Sequence, residues 1–151
     1  MVIGFGDSVE PIKESLELFQ YNGRPIFEGS ISLQVYPVET IFAEKLQTII
    51  SKGSANSRMK DFHDLLLLSR EGILNPEKLK NDIIQTFKNR ATILQTQIDF
   101  NQEGILLLQN IWGGHVSGLG KVASDYEIPN SIKAVINEIN NYLEENLKTT
   151  F

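Results

Sequence analysis

The sequence predicts an α+β fold: mostly a bundle of α-helices, with a small β element at the N-terminus. Two observations carry this. Strand-like runs occur only in the first 36 residues, at Val2–Gly6 and at Ile31–Val35, the second with strict alternation. From Val38 onward apolar residues recur at helical spacing, and Pro, Ser, Asn and Gly stand where helices start and stop.

Val2–Gly6 reads as a strand ending in a glycine turn at Asp7. Two short strands make a poor sheet alone, so the β element is expected to be incomplete or to borrow a strand from a second copy. Helices are predicted over Val38–Ser51, with Pro37 before and Gly53 after it, and over Arg58–Arg70, capped by Ser57 and ended by Gly72. A third opens at Asn75-Pro76 and runs to Asn89, with Leu79, Ile83, Ile84 and Phe87 on one face. The fourth, apolar, spans Gln102–Trp112 and stops at Gly113-Gly114; residues 115–124 then read as loop. The last covers Asn130–Lys148, with Ile132, Val135, Ile136, Ile139, Leu143 and Leu147 in register. The division expected is a partial sheet region at 1–36 and a helical domain at 37–151, together one compact unit.

At 151 residues and 41% hydrophobic the chain has enough apolar material for one core. It contains no cysteine, which excludes disulfides and thiolate metal sites and fits a reducing cytoplasm, the expected location. No apolar run is long enough to span a membrane. A net charge of −5 argues against bulk attraction to nucleic acid, though not against a local basic site. From Lys45 to Lys60 the only charged residues are Lys45, Lys52, Arg58 and Lys60, and Asp61 and Asp64 follow at once.

On a wheel of about 100° per residue, Val38, Ile41, Phe42, Leu46, Ile49 and Ile50 define one apolar arc. Lys45 falls inside it and Glu44 outside. A lysine on a core-facing stripe must either snorkel or meet an anion. The next helix supplies carboxylates: Leu65 to Leu68 point in four directions, so this helix should be central, and Asp61 and Asp64 share one side of it. Buried acids need partners. Either Asp61 or Asp64 pairs with Lys45 and Arg58 to fix helix packing, or these residues form a site that neutralises and orients phosphate. His63 and His115 lie far apart without a further ligand at metal spacing, so no metal site is assigned. The glycines at 113–114 and 118–120 follow no strand and form no phosphate cradle. Trp112 and Tyr126 read as core or domain-edge packing.

The stretch Tyr36-Pro37-Val38-Glu39-Thr40-Ile41-Phe42-Ala43-Glu44-Lys45-Leu46, followed after a gap by Ser57-Arg58-Met59-Lys60-Asp61-Phe62-His63-Asp64-Leu65, resembles the AbiEii/AbiGii toxin family. Ile3–Asp7, Thr86–Thr92 and Trp112 are similar to further landmarks of that family, in the same order. The resemblance implies a nucleotidyltransferase sheet of the polymerase-β type ahead of a helical domain, and a toxin restrained by an antitoxin. It implies Lys45, Asp64 and Asp61 as catalytic residues, either acid being the functional one, with Arg58, Lys60 and Lys45 binding nucleotide. Mg²⁺ and a nucleoside triphosphate are the implied cofactors, and an RNA acceptor such as a tRNA 3′ end the implied partner. The family's Gly-Ser … Asp-x-Asp acids, which hold its metals, have no match here: Gly29-Ser30 precedes an acid-free strand, and Gly53-Ser54 precedes acids on a helix. The chain is therefore expected to be a C-terminal portion with an incomplete site, inactive alone. The rivals are a non-catalytic module that binds an antitoxin-like partner or self-associates, and a purely structural ion-pair cluster.

Overall fold

The computed structural model describes residues 12–16, 20–21, 24–25 and 31–148, with side chains from residue 36 onward. Upstream of the helices the strands β1 (Ile12–Leu16) and β4 (Ile31–Val35) pair antiparallel, Ile12 opposite Val35 and Leu16 opposite Ile31. The two-residue pieces β2 (Gln20–Tyr21) and β3 (Arg24–Pro25) pair with each other. The predicted Val2–Gly6 strand and Asp7 lie outside the described residues.

The rest is helical: α1 (Val38–Lys52), α2 (Met59–Arg70), α3 (Pro76–Asn89), α4 (Gln102–Leu119), α5 (Lys121–Asp125) and α6 (Ile132–Leu147). The caps explain most boundaries. Asn75 accepts from the Lys78 amide ahead of Pro76, Asn101 from Gly104, and Ser131 from Ala134, each satisfying an amide that has no partner within its helix. At α2 the expected Ser57 cap is not formed. Arg58 is the cap residue, and the side chain of buried Asn56 accepts from the Arg58 amide instead.

The expected break at Gly113-Gly114 is not present, and α4 runs on to Leu119. Two glycines cost roughly 1 kcal/mol each in a helix, but the helix is anchored on both sides of them. Buried Trp112 donates to the Pro129 carbonyl at 2.9 Å, and Val116 and Leu119 pack on the core. The stop comes at Gly120, whose φ of +58° takes it out of the helical region. Tyr126 is more than half exposed, so it is not core.

α1 packs on α3 and α2, α2 on α6, and α6 also on α4 and α3. One core results, built from Phe42, Leu46 and Ile49, from Phe62, Leu65 and Leu66, from Leu79, Ile83 and Phe87, and from the apolar face of α6. Each large side chain buried there contributes about 1.5–3 kcal/mol. Ile84, expected on the α3 core face, is exposed at its edge. Because α1 is enclosed from two sides, its polar residues are buried too. Thr40 donates to Asp82, the Asn75 amide donates to Glu39, and Gln47 bonds Thr92 and Arg90. Glu44, placed by the wheel outside the apolar arc, is 4% exposed and lies 4.0 Å from the Arg90 guanidinium. A single-sided wheel cannot represent a helix with neighbours on two sides.

Candidate functional site

The short 3₁₀ turn Gly53–Ala55 and the loop to Arg58 fold α2 back on α1, so that the face of α1 bearing Lys45 meets the first turns of α2. Lys45 sits mid-helix with its stem across the core edge and its side chain 13% exposed. Its Nζ reaches both acids at once, lying 3.2 Å from Asp61 Oδ1 and 2.9 Å from Asp64 Oδ2. Asp61 is the buried member, with a side chain 2% exposed. It stands in the first turn of α2, where the unpaired amides and the helix dipole favour a carboxylate. Asp64, one turn on, is about a quarter exposed.

Two more cations stand at the rim. Arg58 Nε lies 3.7 Å from Asp61 Oδ2, and Lys60 Nζ lies 3.2 Å from Asp64 Oδ1. Both side chains are largely exposed, 63% and 78%, so neither contact holds its cation firmly. The Arg58 separation is too long for a hydrogen bond. Asp61 Oδ2 is consequently buried without a donor among the described residues, as the Asn56 side-chain amide is without an acceptor. Three cations against two carboxylates leave the cluster one positive charge in excess. All five residues singled out from the sequence, Lys45, Arg58, Lys60, Asp61 and Asp64, are thus brought together.

The protonation states follow from the geometry. Burial works against the Lys45 ammonium, but the hydrogen bonds and charges of Asp64 and then Asp61 outweigh it and raise its pKa above the ordinary lysine value. Burial likewise opposes the charge on Asp64, and Lys45 and Lys60 together hold its carboxyl below the usual range. Lys45 and Asp64 are therefore held in their charged forms at neutral pH.

Those same contacts leave little room for a divalent ion. Both Asp64 oxygens face an ammonium, Asp61 Oδ1 faces Lys45, and Asp61 Oδ2 is buried. Among the described residues no three His, Cys, Asp or Glu side chains converge as a metal cage. The described residues suit an anion held by the rim cations better than a metal held by the acids.

Beside Asp64 the structure brings together two residues that sequence spacing offers no reason to join. His63 Nδ1 on α2 and His115 Nε2 on α4 are 3.1 Å apart, although 52 residues separate them in the chain. The rings meet edge to face, and His115 also lies against Trp112 with ring centroids 5.1 Å apart. The continuation of α4 past its glycines is what places His115 there. A groove of about 560 Å³ elsewhere, between residues 98–105 and α6, is lined by Phe100, Ile105, Lys133 and Asn137 among others, and shares no residue with the charged cluster.

No helix among the described residues is long and apolar enough to cross a membrane. Comparison with curated proteins gave no match, and comparison with solved structures gave none. Comparison with protein families gave one over nearly the whole chain, residues 2–144: the nucleotidyl transferase AbiEii toxin of type IV TA systems. A match of that extent spans the converging Lys45, Arg58–Lys60 and Asp61–Asp64 positions, and the chain belongs to the AbiEii nucleotidyl transferase toxin family.

Proposed function

We propose that the Lys45–Asp61–Asp64 centre is the nucleotide-handling part of an AbiEii-type nucleotidyltransferase, with Arg58 and Lys60 as the groups that meet triphosphate. One observation carries the reading: a largely buried lysine clamps two acids while two weakly held cations stand at the rim of the same cluster. A triphosphate arriving at the rim offers Arg58 and Lys60 stronger, charge-assisted hydrogen bonds than their present exposed contacts. Lys45, already satisfied, acts as a positioning residue that fixes where Asp61 and Asp64 stand. Asp64, partly exposed, is the acid able to meet a ligand, and Asp61 is the internal brace.

The β1–β4 pair fits the edge of the nucleotidyltransferase sheet, with the sheet region up to residue 36 and the helical domain from 37. The chemistry proposed is that of a nucleotidyl transferase, transfer of a nucleotide from a triphosphate to an acceptor such as RNA, with Mg²⁺ supplying charge neutralisation. Holding that metal does not fall to Asp61 and Asp64, whose oxygens face Lys45 and Lys60 or are buried. An antitoxin is the partner that a type IV toxin–antitoxin family implies.

Equilibrium dialysis of the full chain against each of the four labelled ribonucleoside triphosphates tests the reading. Binding is expected, and Arg58→Ala with Lys60→Ala should weaken it about a hundredfold, the scale of losing two charge-assisted contacts of about 1.5 kcal/mol each. The thermal midpoint should hardly change, because both side chains are exposed. Lys78→Ala, at a remote exposed cation, should leave binding unaltered. Undetectable binding of all four nucleotides, or equal binding by the double variant, would sink it.

A second reading, a protein-interaction module, is favoured by one feature: Leu106 and Leu107 are 61% and 51% exposed side by side on α4. Sedimentation at several concentrations tests self-association, and a strict monomer unaffected by Leu107→Glu would count against a second copy as the partner.

A further inference from the structure

We propose that His63 and His115 form an acid-labile clasp between α2 and α4. With both imidazoles neutral, one N–H···N hydrogen bond joins them at 3.1 Å, one ring donating and the other accepting. A first added proton can be shared along that bond, since a protonated ring still donates to a neutral one. The second proton removes the last acceptor. Two imidazolium ions then face each other across the junction, and the bond gives way to repulsion.

The surroundings favour the neutral pair. Both rings are partly buried, His115 rests on the uncharged Trp112, and the edge-to-face arrangement fixes the geometry of the bond. The charges that face the pair among the described residues are Lys60 and Asp64, both on α2. Asp64 would favour protonation, but it is tied to Lys45 as well as Lys60, and Lys60 itself opposes a further positive charge. For His63, burial first and the neighbouring His115 second lower the pKa, against the pull of Asp64. For His115, burial first and Lys60 second do the same.

The direction of the effect on stability follows. Folded values below the ordinary 6.5 mean that the unfolded chain takes up more protons on acidification. The clasp therefore contributes fully above about pH 6.5 and is lost as pH falls through the lower values of the folded pair. The inference rests on the paired rings alone and holds whether or not the neighbouring cluster binds nucleotide.

The chain contains two histidines, so every imidazole signal in an NMR titration belongs to this pair. The full chain is expected to show two coupled steps between pH 8 and 4.5, the later one below the ordinary histidine value. In His115→Gln, His63 should titrate in one step, shifted upward. In a His63→Asn/His115→Gln chain, whose amides fall near the Nδ1 and Nε2 positions, an interhelical hydrogen bond that does not titrate is expected in place of the imidazole pair. Between pH 7.5 and 5 its thermal midpoint should fall by about 3 °C less than that of the parent. Two independent, ordinary histidine titrations in the parent chain would overturn the clasp, as would an unchanged His63 in His115→Gln. An acid loss in the double variant equal to that of the parent would do the same. Should the variants fail to fold, the titration of the parent chain decides alone.

Discussion

At the scale of residues, Lys45 and Lys60 are both lysines bonded to Asp64, yet they should behave differently. Lys45 is mostly buried and shields Asp61, whose side chain has no other hydrogen-bond donor among the described residues. Lys45→Met therefore leaves a buried carboxylate uncompensated and should destabilise the chain by about 3 kcal/mol. Lys60→Met, at an exposed pair, should cost no more than about 0.5 kcal/mol. Urea unfolding of the two variants checks the contrast. Neutralising Lys45 and Asp64 together would not rescue stability, because Asp61 remains. The triple replacement Lys45→Met, Asp61→Leu, Asp64→Leu should recover most of the loss, and failure to recover would mean the cluster holds the fold by more than its charges. The pH limits also follow. Asp64, with its lowered value, contributes stability above about pH 3.8 that is lost as pH falls through its folded value. Lys45, with its raised value, contributes below about pH 10.5 and loses that contribution as pH rises through its folded value. Unfolding curves from pH 2 to 12 should show the loss at both ends in the parent chain and its absence in the triple variant.

At the scale of elements, the glycines of α4 separate space from backbone. Gly113 and Gly114 sit inside the helix with nothing within 4 Å of an added methyl group, and neither has a positive φ. Gly113→Ala and Gly114→Ala should each stabilise by about 0.5–1 kcal/mol. Gly120, at φ +58°, is left-handed, and Gly120→Ala should destabilise by about 1 kcal/mol. Thermal melts of the three variants give the signs directly. The same helix shows what a sequence can convey. The 3.6-residue spacing located α1, α2, α3 and α6 within one or two residues, because each presents a stripe to a common core. Gly113-Gly114 carried a stop signal in isolation, and it was overridden by Trp112, Val116 and Leu119 packing on either side of it. Local propensity is worth about 1 kcal/mol per glycine, and tertiary packing of that length of helix is worth more.

At the scale of the whole molecule, the charged centre was legible and its surroundings were not. Lys45 on an apolar stripe and two acids on one side of a central helix announce an ion-pair cluster, because free charges do not stay in a core. Periodicity does not reveal which helix covers the far side of α1, so Glu44, Gln47 and Arg90 went unrecognised as a buried network. Nor does it bring His63 to His115 across 52 residues. The strand Ile12–Leu16, which pairs with Ile31–Val35, has the sequence Ile-Lys-Glu-Ser-Leu, too polar to alternate visibly.

The central claim, that nucleotide is handled where α1 meets the start of α2, is tested most directly by following backbone amide NMR signals during a titration with ribonucleoside triphosphate. Progressive shifts are expected at Arg58 to Asp64 and around Lys45, with the 98–105 and 133–140 segments that line the separate groove unmoved. Shifts confined to that groove, or none at millimolar nucleotide, would contradict it.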